Sequence, residues 1–226
     1  MRKERRPVRF VMDYYDPEVR AQLALYGHAM SSLCMKGQMA FSLAKNMQAV
    51  FENKRRLQSA LELWDVEDSA ALKAKLQWLF ETGVRKEFED CRMLLSGLAD
   101  TERSGYLQSL PSGEAHTGKL HVAAYYLTRL PAKGIAAFDY SWCVYLCCAG
   151  HRRGYLSEED QWRIVAMCVR HACIAYASWK EYIIGFAAGA DFHQASSSLD
   201  HVKKYKDFFV KLLTAPESPL GQVNLR

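Results

Sequence analysis

The feature that most constrains the fold is an apolar run in the second half of the chain, Phe138 to His151, which has almost no polar face. A helix that is apolar on nearly all sides has to be covered on all sides, so it belongs at the centre of a helical body. Gly150 and Gly154 bracket a turn after this run, and Ser157-Glu158-Glu159-Asp160 then has the composition of a helix start. The stretch therefore predicts a buried central helix, a tight turn and a second helix.

Helix signals recur along the rest of the chain. Asp16-Pro17 opens a helix whose apolar seam, in steps of three and four residues, continues to Phe51. Ser178-Trp179-Lys180-Glu181 has the pattern of a capping box. Arg6 to Tyr14 alternates in polarity and is the only candidate strand, or equally an extended arm on a helical body. These patterns predict an all-α protein of about eight to ten helices, in one compact domain or two lobes.

The domain organisation follows from composition. Residues 100–118 contain three glycines, Pro111 and several serines and threonines, which is typical of a linker-like loop. We therefore expect five segments: a basic arm (1–15), a first helical lobe (16–99), the loop (100–118), a second helical lobe (119–214) and a tail (215–226).

The net charge of +5 is concentrated in the first nine residues, where five cations oppose Glu4. The remaining chain is close to neutral, which disfavours nucleic-acid binding by its body. If the protein does bind nucleic acid, the candidate residues are those of the arm, namely Arg2, Lys3, Arg5, Arg6 and Arg9.

Cysteine usage and hydropathy indicate the compartment. The seven cysteines are odd in number, and Cys147 and Cys148 are adjacent, so they do not resemble a disulfide framework. No apolar run reaches the roughly 18 residues of a membrane span. Arg9 and Asp13 interrupt the stretch that would form the core of a signal peptide. We expect a cytoplasmic protein that has no membrane partner.

Nucleotide-binding, nucleophile-elbow and kinase motifs are absent from the sequence, and so are HExxH and paired CxxC. The nearest approach to a metal site is Cys143, Cys147 and His151 on one helix, with Cys168 and His171 on the next. The first three span about 12 Å along a helix, which is too long for one ion. We therefore expect packing cysteines, with no metal and no cofactor.

Two polar groups remain as candidate sites. The turn His151-Arg152-Arg153 has the donors to recognise a phosphate or carboxylate, although pairing with Glu158, Glu159 or Asp160 is the expectation we prefer. Asp139, Asp191 and His193 are residue types used in general acid–base catalysis. Asp139 equally suits a charge at the N-terminus of its own helix, and His193 a surface position.

The C-terminal half resembles a bacterial family of domains of unknown function, numbered twelve-sixty-six. The resemblance rests on Ala137-Phe138-Asp139, Gly150, Gly154 to Glu159, Trp162, Ser178 to Tyr182 and Gly189, within residues 137–193. The family pattern has an aromatic–Asp pair followed three residues later by Arg, where this chain has Trp142. The resemblance implies a bacterial cytosolic protein and assigns no active site.

These observations lead to an expectation about function. A helical protein of this size without catalytic motifs is expected to be a non-catalytic protein-binding module. The most specific version of this expectation is an immunity protein that neutralises a toxin of an interbacterial secretion system, such as type VI secretion. The alternatives are nucleic-acid binding through the arm with Arg152 and Arg153, or an enzyme of unrecognised type that uses Asp139, Asp191 or His193.

Overall fold

The computed structural model describes residues 14–131 and 133–225. Within these ranges the chain forms twelve α-helices and a short 3-10 helix, and no strand. The α-helices are α1 (Pro17–Ser32), α2 (Ala40–Lys45), α3 (Met47–Glu52), α4 (Lys54–Glu62), α5 (Ser69–Glu81), α6 (Gly83–Ser96), α7 (Asp100–Ser109), α8 (Ala115–Tyr126), α9 (Ala136–Arg152), α10 (Glu158–Ala175), α11 (Trp179–His193) and α12 (Asp200–Thr214). The all-α prediction is confirmed. No helix in the described ranges has the length and apolar character needed to cross a membrane.

Helix α9 is the centre of the fold, as its apolar sequence predicts. Fourteen of its 17 residues are buried. Helices α1, α5, α10 and α11 pack around it, so elements from both expected lobes share one core. The turn after α9 leads into α10, whose N-cap Ser157 accepts the amide of Asp160 at 3.1 Å.

The first long helix is shorter than its apolar seam predicts. Helix α1 ends at Ser32 rather than continuing to Phe51, and the short α2 and α3 follow. Gly37 has a φ of 84°, a left-handed conformation that a continuous helix does not allow. Asn46 then caps α3 by accepting the amide of Ala49 at 3.2 Å. The apolar spacing survives across this break because the short segments still turn their apolar residues towards the core.

Two segments expected to be irregular are more ordered than their composition suggests. Residues 100–109, expected as part of the linker-like loop, form α7, and α8 begins at Ala115 within the same expected loop. The expected tail includes the 3-10 helix Pro219–Gln222, and Val223 accepts a hydrogen bond from Trp179 Nε1 at 2.8 Å. Leu220, Val223 and Leu225 are buried. The candidate strand Arg6 to Tyr14 and the basic arm lie almost wholly outside the described residues.

Candidate functional site

Asp139 is completely buried in the first turn of α9, and its carboxylate faces another helix. Its Oδ1 accepts the amide of Val84 at 2.8 Å, and its Oδ2 accepts the amide of Arg85 at 3.1 Å. The Arg85 guanidinium adds a hydrogen bond to Oδ2 at 2.9 Å. These amides belong to the first turn of α6, whose donors have no partner within the helix. Asp139 therefore caps α6 across the core.

The fit around Asp139 depends on Gly83. Gly83 has a φ of 61°, and a Cβ there would lie 2.2 Å from Asp139 Oδ2. Burial raises the pKa of Asp139 to about 6, against the opposing effects of Arg85 and the amide hydrogen bonds. The carboxyl is still mostly ionised at pH 7, which suits its acceptance of three hydrogen bonds.

Asp191 has a parallel role near the end of α11. It is completely buried, and its Oδ1 accepts the amide of His201 at 2.8 Å in the first turn of α12. Burial raises the pKa of Asp191 to about 6. Its Oδ2 and the Nε2 of His201 are buried without a hydrogen-bond partner among the described residues. Both buried aspartates thus accept an amide from the first turn of another helix, α6 for Asp139 and the following helix α12 for Asp191.

The structure does not join Asp139, Asp191 and His193 into one hydrogen-bonded group. Asp139 bonds to α6 and Asp191 to α12. His193 is exposed on one side, and its ring stacks on Trp64, with 5.3 Å between ring centroids and 9° between planes. Burial lowers the pKa of His193, and Lys119 and Lys36 lower it further. His193 therefore belongs to a surface feature, whereas the aspartates belong to the core.

That surface feature combines aromatic rings with lysines. The Lys75 ammonium lies 5.7 Å from the ring centroid of Trp64 and 5.6 Å from that of Trp78. Leu63 beside Trp64 is 63% exposed, and Trp78 is 39% exposed. We call Leu63, Trp64, Lys75, Trp78 and His193 the tryptophan–lysine surface.

Two more lysines flank the tryptophan–lysine surface. Lys36 lies 5.7 Å from the ring of Trp142, and Lys119 lies 5.6 Å from that of Phe192. Both lie close enough to His193 to affect its pKa. Sequence reasoning missed this surface because its residues come from separate elements. The signal available was Lys75 and Trp78, three residues apart on α5 and neither of them buried.

The preferred expectation for the turn after α9 is not observed. Glu158 pairs with Arg20 at 3.1 Å, Glu159 accepts a hydrogen bond from Tyr15, and Asp160 pairs with Arg163 at 2.7 Å. The three acidic side chains are thus occupied by residues outside the turn. Arg152 and Arg153 are exposed and form no ion pair with the described residues.

The cysteines of the considered metal set are packing residues with weak hydrogen bonds. Cys143 and Cys147 are fully buried, and their thiols point to the carbonyl oxygens of Leu76 and Gln161, each at 3.7 Å. His151 Nδ1 bonds to the carbonyl oxygen of Leu156 at 3.1 Å. In the part of the chain that is described, no group of three His, Cys, Asp or Glu side chains is placed to hold a metal ion.

The fold defines an all-α domain built around a buried central helix, in which two core aspartates each cap the first turn of another helix. Residues 61–225 match the family described as Protein of unknown function (DUF1266). The match covers most of the chain, which therefore belongs to this family, and the resemblance seen in residues 137–193 extends to α4 and to the C-terminal segment. No curated protein and no solved structure matches the chain.

Proposed function

We propose that the protein is a non-catalytic protein-binding module that uses the tryptophan–lysine surface to bind an acidic surface of a partner protein. In the most specific version of this proposal, the protein is a cytoplasmic bacterial immunity protein. It would neutralise a toxin of an interbacterial secretion system by covering the toxin's active site or its secretion adaptor.

The observation that carries the proposal is the placement of Lys75 within cation–π distance of two tryptophan rings, those of the partly exposed Trp78 and the buried Trp64. Tryptophan contributes large contact areas and is enriched among the residues that dominate binding energies. Leu63 and Trp78 expose apolar surface beside it, which a partner would remove from water.

The charge of the surface indicates the chemistry of the partner. Lys36, Lys75 and Lys119 lie around His193. Lys119 pairs with Glu87 at 2.6 Å, so the net positive charge comes from Lys36 and Lys75. A partner that presents carboxylates around an apolar centre would complement both features, and opposite charges also accelerate association. The proposal therefore commits to an acidic protein partner.

Two further observations support a binding role in a reducing compartment. The buried carboxylates of Asp139 and Asp191 already accept helix amides, so a role in helix capping accounts for their burial. The odd number of cysteines, two of them adjacent, is typical of reduced thiols and hence of a cytoplasmic protein.

The experiment begins with the chromosomally tagged protein in its native host, purified at its endogenous level so that bound proteins can be identified by mass spectrometry. The partner is then co-expressed with the wild type, with Trp78→Ala and with Lys75→Glu. Each change should weaken the complex by about tenfold or more, as expected for a residue worth over 1.4 kcal/mol.

Lys73→Glu is the matched control, because Lys73 is exposed on the same helix and contacts neither tryptophan ring within cation–π distance. It should leave the affinity within about twofold. Recovery of no partner at all would overturn the binding-module proposal. A complex that survives Trp78→Ala and Lys75→Glu together would reject this surface as its site.

A second candidate function is single-stranded nucleic-acid binding, favoured by the same pairing of stacked rings and lysines. It would also use Arg152, Arg153 and the basic arm. Its affinity for an oligonucleotide would fall steeply with salt. Deletion of residues 1–9 without any change in that affinity would remove the role of the arm.

A further inference from the structure

A further feature lies outside the tryptophan–lysine surface, between α1, the end of α9 and the start of α10. It is a cleft of about 260 Å³. Its apolar lining includes Ala24, Phe51 and Trp162, and its polar lining includes His28, His151 and Arg152. An apolar cleft with a few converging polar groups is the general form of a small-molecule site.

Three side chains that line the cleft have charged or hydrogen-bonding nitrogen atoms without a described partner. Arg152 has no carboxylate partner among the described residues, since Glu158 pairs with Arg20. Because a carbonyl oxygen only accepts, the contact with Leu156 O places the proton of His151 on Nδ1 and leaves Nε2 without a described partner. His28 is half-buried and forms no hydrogen bond with the described residues, and burial lowers its pKa.

The charges that line the cleft indicate how many negative charges a ligand should carry. The Glu158 carboxylate is balanced by Arg20 and also accepts a hydrogen bond from Trp162 Nε1 at 3.1 Å. Among the described residues, Arg152 is therefore the cation of the cleft without a carboxylate partner, and it lies beside a neutralised acid. A monoanion gains from Arg152, whereas a dianion would leave a second charge beside Glu158.

We propose that this cleft binds a small amphipathic monocarboxylate, whose carboxylate pairs with Arg152 and whose flat apolar body lies against Phe51 and Trp162. The guanidinium forms a two-point contact that suits a carboxylate, and a ring N–H of His28 can donate a further hydrogen bond to it. The site is separate from the tryptophan–lysine surface and stands without the protein-binding proposal.

The test uses 2-naphthoate as the probe and follows the five tryptophan indole N–H signals of the full chain by NMR, with Trp162 assigned through Trp162→Phe. We expect saturable binding with a Kd of about 1 mM or tighter and a shift of the Trp162 signal. The Trp78 signal, which reports on another surface, should stay in place. Arg152→Gln should weaken binding about tenfold, while Arg153→Gln, on the exposed neighbour outside the cleft, should leave it unchanged.

Two further arms separate charge recognition from apolar adsorption. 2-Naphthamide has the same body without the charge and should bind about tenfold more weakly than the acid. Ala24→Leu fills the cleft and should abolish binding. Equal binding of acid and amide, equal effects of Arg152→Gln and Arg153→Gln, shifts confined to Trp78, or no saturation by about 10 mM would each overturn the proposal.

Discussion

The carboxylate of Asp139 accepts the backbone amide of Val84 at 2.8 Å, across 55 positions of sequence. This bond links the buried helix α9 to the first turn of α6 and satisfies a donor that α6 cannot satisfy itself. The Arg85 guanidinium closes the arrangement at 2.9 Å from the same carboxylate. A residue type that suits catalysis has here become a long-range helix cap.

Removing this carboxylate should strongly destabilise the protein. Asp139→Ala leaves the amides of Val84 and Arg85 and a partly buried guanidinium without their acceptor. We expect a loss of about 3–5 kcal/mol in the free energy of unfolding, measured by urea denaturation at pH 7. Asp90→Ala, on the exposed side of α6, should cost about 0.5 kcal/mol or less. Similar losses for the two variants would contradict a capping role.

Gly83→Ala should test the close approach itself. The added Cβ would meet the Asp139 carboxylate at 2.2 Å and would hold alanine at a φ of 61°. The left-handed conformation alone costs about 1–2 kcal/mol, and displacement of the carboxylate adds to it. In the Asp139→Ala background only the conformational cost remains, so the double-mutant cycle should show coupling of about 1 kcal/mol or more. Additive effects would mean that the two residues do not clash.

The sequence predicts helix caps that are formed by neighbouring residues, but it does not predict caps that are formed across the folded core. Ser157 and Ser178 are N-caps whose hydroxyl groups accept the backbone amide three residues ahead, so the local sequence pattern predicts them directly. The cap supplied by Asp139 depends on which helix packs against α9, which no local pattern contains. The guanidinium that completes the arrangement likewise comes from Arg85 on α6, far from Asp139 in sequence.

The same reasoning explains why the expected ion pairs of the turn after α9 are not observed. Arg152 and Arg153 were expected to pair with the acidic residues that follow them, because nearness in sequence favours such pairs. Glu158 instead forms an ion pair with Arg20 of α1, which is 138 positions away in the sequence. The predicted first helix extended past Gly37 because hydrophobic spacing carries no information about a left-handed φ. The fold class followed from periodicity, whereas the partners of each charge depended on packing.

His201 should make the protein sensitive to acid. It is 4% exposed, and burial, with Lys36 and Lys204, lowers its pKa to about 4. The folded state therefore binds this proton more weakly than the unfolded state, and stability falls as the pH drops from about 6.5 towards 4. Between pH 7 and pH 5 this contribution is about 2 kcal/mol.

The variant His201→Phe isolates that contribution. Phenylalanine fits among Phe186, Tyr205 and Phe209, and the main-chain bond to Asp191 remains. The raised pKa values of Asp139 and Asp191 favour folding as the pH falls through about 6, but the wild type and the variant share this effect. Urea denaturation at pH 7 and pH 5 should thus show the variant gaining about 2 kcal/mol relative to the wild type at the lower pH. Parallel curves would mean that His201 does not titrate in this range.

The cysteines should be unreactive while the protein is folded. Cys34, Cys91, Cys143, Cys147 and Cys168 are buried, and burial raises the pKa values of the half-buried Cys148 and Cys173 to about 11. Since the thiolate is the reactive form, these two thiols should react at pH 8 about a hundredfold more slowly than free cysteine, and the buried five more slowly still. Ellman's reagent should count all seven thiols in urea. Rapid modification of one thiol in the native protein would reveal an opening of the core around α9 or α10, where five of the seven cysteines lie.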